Sequence, residues 1–182
     1  MLDSGIPCRN DGASIQNENY PLIPPLLIFG YGNPSRGDDA LGPLLLERLE
    51  AQGFPGVECL TDFQLQVEHA LDLEGRELTL FIDAHLSCPP PFQFTHLHPE
   101  ADRSYTTHAM SPASVLQVFA EIYRRPPPLA FLLSIRGERF ELGEGLSPEA
   151  QANLEAAAQF AARLCARPEP GYWSSLCGNS SL

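Results

Sequence analysis

The side chains in this sequence best suited to hold a cation or move a proton are the acids Asp38, Asp39, Asp62 and Asp83 and the imidazole of His108. Carboxylate oxygen and imidazole nitrogen together suit a divalent transition ion such as zinc, nickel or manganese. A set of two acids and one histidine leaves coordination positions open for something else. Each acid also has a plainer reading. Asp38 or Asp39 could cap a helix and answer its dipole, and Asp62 could be an ordinary turn acid. Asp83 closes the apolar run Leu78-Thr-Leu-Phe-Ile82, where a charge needs a partner. His108 taken alone reads as a surface or helix-start histidine and gains its meaning from the company of the acids. His85 lies close enough to Asp83 to be an auxiliary ligand. His96 and His98, at i and i+2, could share a strand face and bind metal, but with no acid nearby in sequence an exposed edge is the simpler expectation. His69, beside Glu68, reads as a solvated or capping residue.

The elements that must position these groups follow from hydrophobic periodicity. Leu26 to Phe29 is a continuous apolar run ending in Gly30, Gly32 and Asn33, and Pro43 to Arg48 returns to a helical apolar pattern. The stretch reads as a buried strand, a turn and a helix. The turn resembles a dinucleotide fingerprint, yet Ser35 stands where the third glycine should be. Asp38 and Asp39 then fall at the start of the helix, where a phosphate would need bare N–H groups and the positive end of the dipole. The turn is suited to a cation rather than an anion.

Val57 to Leu60 predicts a second strand ending at Thr61-Asp62, and Leu65, Val67, Ala70, Leu71 and Leu73 predict a second helix. Leu78 to Ile82 predicts a buried third strand that runs into Asp83. Phe92 to His98 alternates as an exposed-faced or edge strand should. Ser111-Pro112 and Ser147-Pro148 each supply an N-cap followed by a first-turn proline, with a strand from Leu129 to Ile135 between the two helices. This order implies an α/β fold, a three-layer α/β/α sandwich around a mostly parallel, roughly five-stranded sheet. Ligands of such sheets sit beyond the carboxyl ends of the strands. Asp38, Asp39, Asp62 and Asp83 all fall at that edge, with His108 in the loop before the third helix.

The 182 residues are 43% hydrophobic and suit one domain. We expect a flexible leader over residues 1–20, a single domain over 21–166 and a tail over 167–182 that frays, unless Trp173 folds it back on the body. With 11 basic against 23 acidic residues and a net charge of −12, the composition argues against nucleic acid or an anionic membrane as partner. The start of the chain has no basic region leading into an apolar stretch, and no run approaches the length of a membrane span. Five scattered cysteines without a C-x-x-C pair disfavour a disulfide framework. A cytoplasmic location is the natural expectation.

The motifs resemble those of the hydrogenase maturation endopeptidases, which trim the C-terminus of the [NiFe] hydrogenase large subunit. The matching pieces are Gly30-x-Gly32-Asn33-Pro34-x-Arg36-Gly37-Asp38-Asp39-x-x-Gly42, then Phe81-Ile-Asp83-Ala84, then His108 ahead of Ser111-Pro112. Arg136-Gly137-Glu138 and the stretch from Glu141 to Glu149 complete the set. The resemblance implies that Asp39, Asp83 and His108 contact nickel supplied by the substrate protein, with no tightly bound organic cofactor. It also implies that Asp62 takes part in cleavage. Asp62 is followed here by Phe63-Gln-Leu-Gln66 instead of the family's Gly-Gly-Thr run, which resembles the branch serving soluble, cofactor-linked hydrogenases. The implied partner is the large-subunit precursor, and the free protein is expected to be a monomer. Two other classes stay open: a nucleotide- or flavin-binding α/β module, and a nickel chaperone that cuts nothing. Without G-x-S-x-G or H-E-x-x-H, serine hydrolase and zincin chemistry have no support.

Overall fold

Apolar runs too continuous for a half-exposed strand must be covered on both faces, and this is how the central strands are used. The computed structural model describes residues 23–101 and 110–177. Five strands, β1 (Leu26–Tyr31), β2 (Val57–Asp62), β3 (Leu78–His85), β4 (Phe92–Leu97) and β5 (Leu129–Arg136), form one sheet in the order β2-β1-β3-β5-β4. The first three pairings are parallel, and β4 runs antiparallel to β5 at the edge. In β1, Leu26 and Ile28 enter one core cluster while Leu27 and Phe29 enter the other. Side chains alternate across a strand, so the unbroken run fills both layers.

Helices α1 (Leu41–Glu50), α3 (Pro148–Ala166) and α4 (Pro170–Leu176) cover one face. Helix α2 (Pro112–Tyr123) and a 3₁₀ segment, Val67–Leu73, cover the other. The α/β sandwich expected from the sequence is therefore present. Both Ser-Pro starts behave as expected: the N–H of Ser114 donates to the Ser111 hydroxyl and that of Ala150 to the Ser147 hydroxyl, each at 3.1 Å.

Two elements differ from expectation. The segment after β2 is a 3₁₀ helix and not an α-helix. It buries Ala70 and Leu73, three residues apart as one 3₁₀ turn requires, while Val67 and Leu71 stay exposed. The second difference is the stretch from Arg167, which does not fray at once. Pro170 opens α4 and carries Trp173 into the core, where the indole is fully buried against Phe94 and Phe131. Its Nε1–H donates to the carbonyls of Leu164 and Arg167 at 3.2 and 3.0 Å, satisfying the one polar group of the ring. The expected leader lies outside the described residues. No helix among the described residues is long and apolar enough to cross a membrane.

Trp173 seals the open end of the α3 layer, so Trp173→Ala leaves a large cavity and destabilises the protein by about 3–5 kcal/mol. Because Trp173 is the sole tryptophan, chemical denaturation of the variant is followed by circular dichroism, and an unchanged midpoint would contradict this role.

Candidate active site

The acid-bearing edge is built by a close approach of α1 to the strand tips. A Cβ on Gly42 would stand 2.5 Å from the Tyr31 carbonyl oxygen and 2.8 Å from that of Ile82, so only glycine lets the helix start press onto the ends of β1 and β3. Gly32, with φ of 141°, would carry a Cβ only 2.0 Å from the Asp39 carbonyl oxygen. The turn folds back on itself here, and a side chain would prevent it. Asp39 thereby returns to the turn, where its Oδ2 accepts the Asn33 N–H at 2.9 Å.

Register places the other groups. Gly30 pairs with Ile82 on one side and Thr61 on the other, and Tyr31 pairs with Asp62. Asp83 and Asp62 thus flank Tyr31 at one level, two strand spacings apart, roughly 10 Å between Cα atoms. Burial pushes the Asp83 carboxyl up to about 6; hydrogen bonds from the Tyr31 hydroxyl and the Ala84 N–H oppose the shift, and the nearby Asp39 charge adds to it. Tyr31 is raised well above the usual tyrosine value, by burial first and then by the Asp83 charge. Asp39, Asp83 and Tyr31 consequently form one electrostatic unit. Tyr31 is absent from the residues singled out in the sequence, where it is merely the variable position of a glycine turn; its pairing register is the signal that finds it.

Asp62 stands apart. Its Oδ1 accepts the Phe63 N–H at 2.6 Å, and its Oδ2 lies 3.5 Å from His69 Nε2. His69 is largely buried, packs on the Phe29 ring at 4.6 Å and accepts the Gln66 N–H on Nδ1 at 2.9 Å, which leaves the ring proton on Nε2 facing Asp62. His69 is thus a capping residue that also stands beside an acid. His85 is exposed, with Nδ1 accepting the Ser87 N–H at 3.1 Å. His96 and His98 lie side by side, their ring centres 4.4 Å apart, away from the acids. His108 lies outside the described residues. Among the described residues no three His, Cys, Asp or Glu side chains cluster closely enough to hold a metal. Of the set expected to meet, Asp39 and Asp83 are the two that are brought together.

Asp38 has a different task. It is fully buried and accepts four hydrogen bonds, from the N–H groups of Glu138, Arg139 and Ser147 at 2.7, 2.9 and 2.7 Å and from the Ser147 hydroxyl at 2.8 Å. Burial alone would raise its pKa, but these donors outweigh that and hold the carboxyl below its usual value. Backbone bonds reinforce the clamp: Asp38 N–H to the Arg139 carbonyl at 2.7 Å, Gly37 N–H to Glu144 at 3.2 Å, and Gly143 N–H to Ser35 at 2.7 Å. The Arg136 to Glu149 motif is therefore the structural partner of the first turn.

The turn offers nothing to a phosphate. The amides of Gly32, Asn33, Ser35, Arg36, Gly37, Asp38 and Asp39 all donate within the protein, to Asp62 O, Asp39 Oδ2, Asn33 Oδ1, Asn33 O, Glu144 O, Arg139 O and Arg36 O. A phosphate-binding turn keeps several of these N–H groups free for the ligand.

Two neighbouring acids thus have opposite effects on stability. The folded protein holds the Asp83 proton to about pH 6, whereas an unfolded chain releases it near 4. The fold loses stability as pH rises through that window. Asp83→Asn is therefore more stable than the natural protein at pH 7.5, by about 1–3 kcal/mol, with the gap closing near pH 4 in parallel denaturation curves. Asp38 acts in reverse, its stabilisation being present above pH 4 and lost as pH falls through its depressed pKa. Asp38→Ala removes the acceptor of three N–H groups and a hydroxyl, those of Ser147 being buried, and costs about 3–5 kcal/mol at pH 7, a loss that thermal unfolding detects.

No protein-family model matches this chain, and no curated protein sequence does. Solved structures do match. The hydrogenase maturating endopeptidase HybD from Escherichia coli is 26% identical with a TM-score of 0.59, over 76% of this chain and 91% of that one. An endopeptidase from Escherichia coli is 25% identical with a TM-score of 0.61, over 78% and 93%. The [NiFe] hydrogenase maturation protease HycI from Thermococcus kodakarensis is 23% identical with a TM-score of 0.60, over 79% and 94%. The likeness spans nearly the whole of those proteins, so this chain shares the α/β fold of solved hydrogenase maturation proteases.

Proposed function

We propose that this protein is an endopeptidase that removes the C-terminal extension of a [NiFe] hydrogenase large-subunit precursor after nickel insertion. The observation that carries the proposal is the approach of Asp39, in the 3₁₀ turn Gly37–Ala40 after β1, to Asp83 near the end of β3, where the Asp39 charge is felt by a carboxyl already raised by burial. Two close carboxylates with one partly buried are relieved by a cation, and the structural relatives are maturation proteases. Nickel enters here as part of the substrate, held by the precursor's thiolates. Asp39, Asp83 and His108 touch it from the open side and so report that the site is filled.

The residues divide the work of cleavage. Asp83, a carboxyl raised by burial and by the Asp39 charge, gains from a precursor that brings a positive ion and gains nothing from an empty one, and this difference discriminates between the two. Asp38 is committed to its four donors, so it is not free to activate water. Asp62 is partly exposed, and His69 lies beside it with its Nε2 3.5 Å from Asp62 Oδ2. In this reading Asp62 accepts a proton from a water attacking the scissile carbonyl.

The nucleotide- or flavin-binding reading requires free amides at the first turn, and those amides are engaged. The nickel-chaperone reading differs in its product, since it predicts association without loss of mass.

The deciding experiment incubates the protein with nickel-loaded and nickel-free precursor and weighs both by mass spectrometry. Only the loaded form should shorten, and Asp39→Ala, Asp83→Ala and His108→Ala should each slow the cut by about 100-fold or more. Complex formation with no shortening would replace the peptidase by the chaperone, and full cleavage by Asp62→Asn would remove Asp62 from proton transfer.

A further inference from the structure

The pair His96 and His98 takes no part in the acid edge. His96 projects from β4 on the face that packs toward α3 and α4, as do Phe92 and Phe94, because alternate residues of a strand share a face, and His98, just beyond the end of β4, lays its ring beside that of His96. His96 lies over the Phe131 ring, with centres 5.0 Å apart and planes 27° apart, and Phe131 is in turn fixed against Trp173. One imidazole is therefore held by packing, while the other, on exposed His98, stands beside it at 4.4 Å between ring centres with planes 60° apart.

That separation has a chemical meaning. Two imidazoles that bind one ion at right angles, each through a nitrogen about 2.1 Å from it, have ring centres roughly 4.5 Å apart. We propose that His96 and His98 form a two-imidazole site for one divalent ion of the zinc, nickel or copper class, on the outer strand and separate from Asp39 and Asp83. Separation from the acids follows from register. His96 pairs with Phe131 on β5 and Asp83 with Ser134, three residues further along, roughly 10 Å in the strand direction, and β5 itself lies between them. Among the described residues no third His, Cys, Asp or Glu completes a cluster, so water or an incoming donor fills the remaining positions, and the site is one of moderate affinity and open access.

Occupancy has a structural consequence. A bridging ion fixes His98 to His96, and His96 is coupled through Phe131 to Trp173 and so to α4. An ion bound only by the folded chain stabilises it, and here it stabilises the seam between the edge strand and the last helix.

The test uses the full chain and zinc chloride as the probe, because zinc is diamagnetic and suits nuclear magnetic resonance of histidine ring nitrogens. The His96 and His98 rings should shift together along one saturation curve that ends at one ion per pair. His98→Gln should weaken the zinc response of the His96 ring by about tenfold or more, and Asp83→Asn should leave both curves unchanged. Exposed His98 tolerates glutamine, and circular dichroism verifies that the variant is folded. Independent shifts of the two rings, no shift below millimolar zinc, or an unchanged His96 curve in His98→Gln would each overturn the site.

Discussion

A single buried carboxylate holds the working edge of this protein together. Asp38 draws the N–H groups of Glu138, Arg139 and Ser147, together with a hydroxyl, onto its two oxygens. In doing so it binds the turn after β1 to the loop after β5, two segments about 100 residues apart in sequence. Burying a charge is unfavourable unless every lone pair finds a donor, and here the donors are supplied by one loop that has little other reason to fold as it does. The contact is also directional. With Asp38 turned inward and its own N–H bound to Arg139, the next residue, Asp39, is set back toward the glycine turn and the tip of β3. Adjacent acids in the chain thereby acquire opposite environments, one satisfied and one exposed to the repulsion of Asp83.

That contrast distinguishes support from function. Asp38 meets four donors and its pKa falls; Asp83 meets burial and a like charge and its pKa climbs to about 6. Structural acids are stabilised as anions, whereas an acid kept above its ordinary value is held in an unfavourable state that a ligand can relieve. The cost is borne by the sheet: β1 and β3 are buried on both faces by apolar clusters rigid enough to keep Asp83 in place without a counter-charge. Among the described residues no basic side chain pairs with Asp39 or Asp83, and Arg136, on the neighbouring strand, is engaged by Glu138 and the Cys88 carbonyl.

Much of this was legible in the letters, for reasons that can be named. Strand β3 announces itself because an all-apolar run is what a doubly covered strand requires, and the acid that ends it is conspicuous for the same reason. The Ser-Pro helix starts were legible because capping is a local property of four residues. The segment at Val67–Leu73 was not, since four apolar positions in seven residues fit a period of 3.6 nearly as well as one of 3.0. Trp173 was ambiguous because a short helix rich in Ser and Gly has weak intrinsic propensity; its place is decided by the stacked rings of Phe94 and Phe131, which it meets edge-on and which come together only in three dimensions. The division of labour between Asp38 and Asp39 was equally invisible, because it depends on a loop from the far end of the chain. Tyr31 was missed because a strand's register determines its neighbours, and register is not written in any one strand.

The arrangement bears on how an ion brought by another protein could be inspected without being removed. A site that captures a metal for itself gathers enough neutral imidazole and carboxylate around a closed cavity to satisfy the ion's whole coordination shell. The edge described here supplies two carboxylates from separate elements, one of them protonated part of the time near neutral pH, and a tyrosine whose hydroxyl donates to the charged form of Asp83. Such a pair gains most from a cation whose remaining ligands stay elsewhere, because full capture would require donors that the described residues do not gather. The same acids disfavour a bare phosphate. Under the function proposed above, selectivity would reside in the charge the partner brings, and the affinity between the two proteins need not be high for the outcome to be decisive.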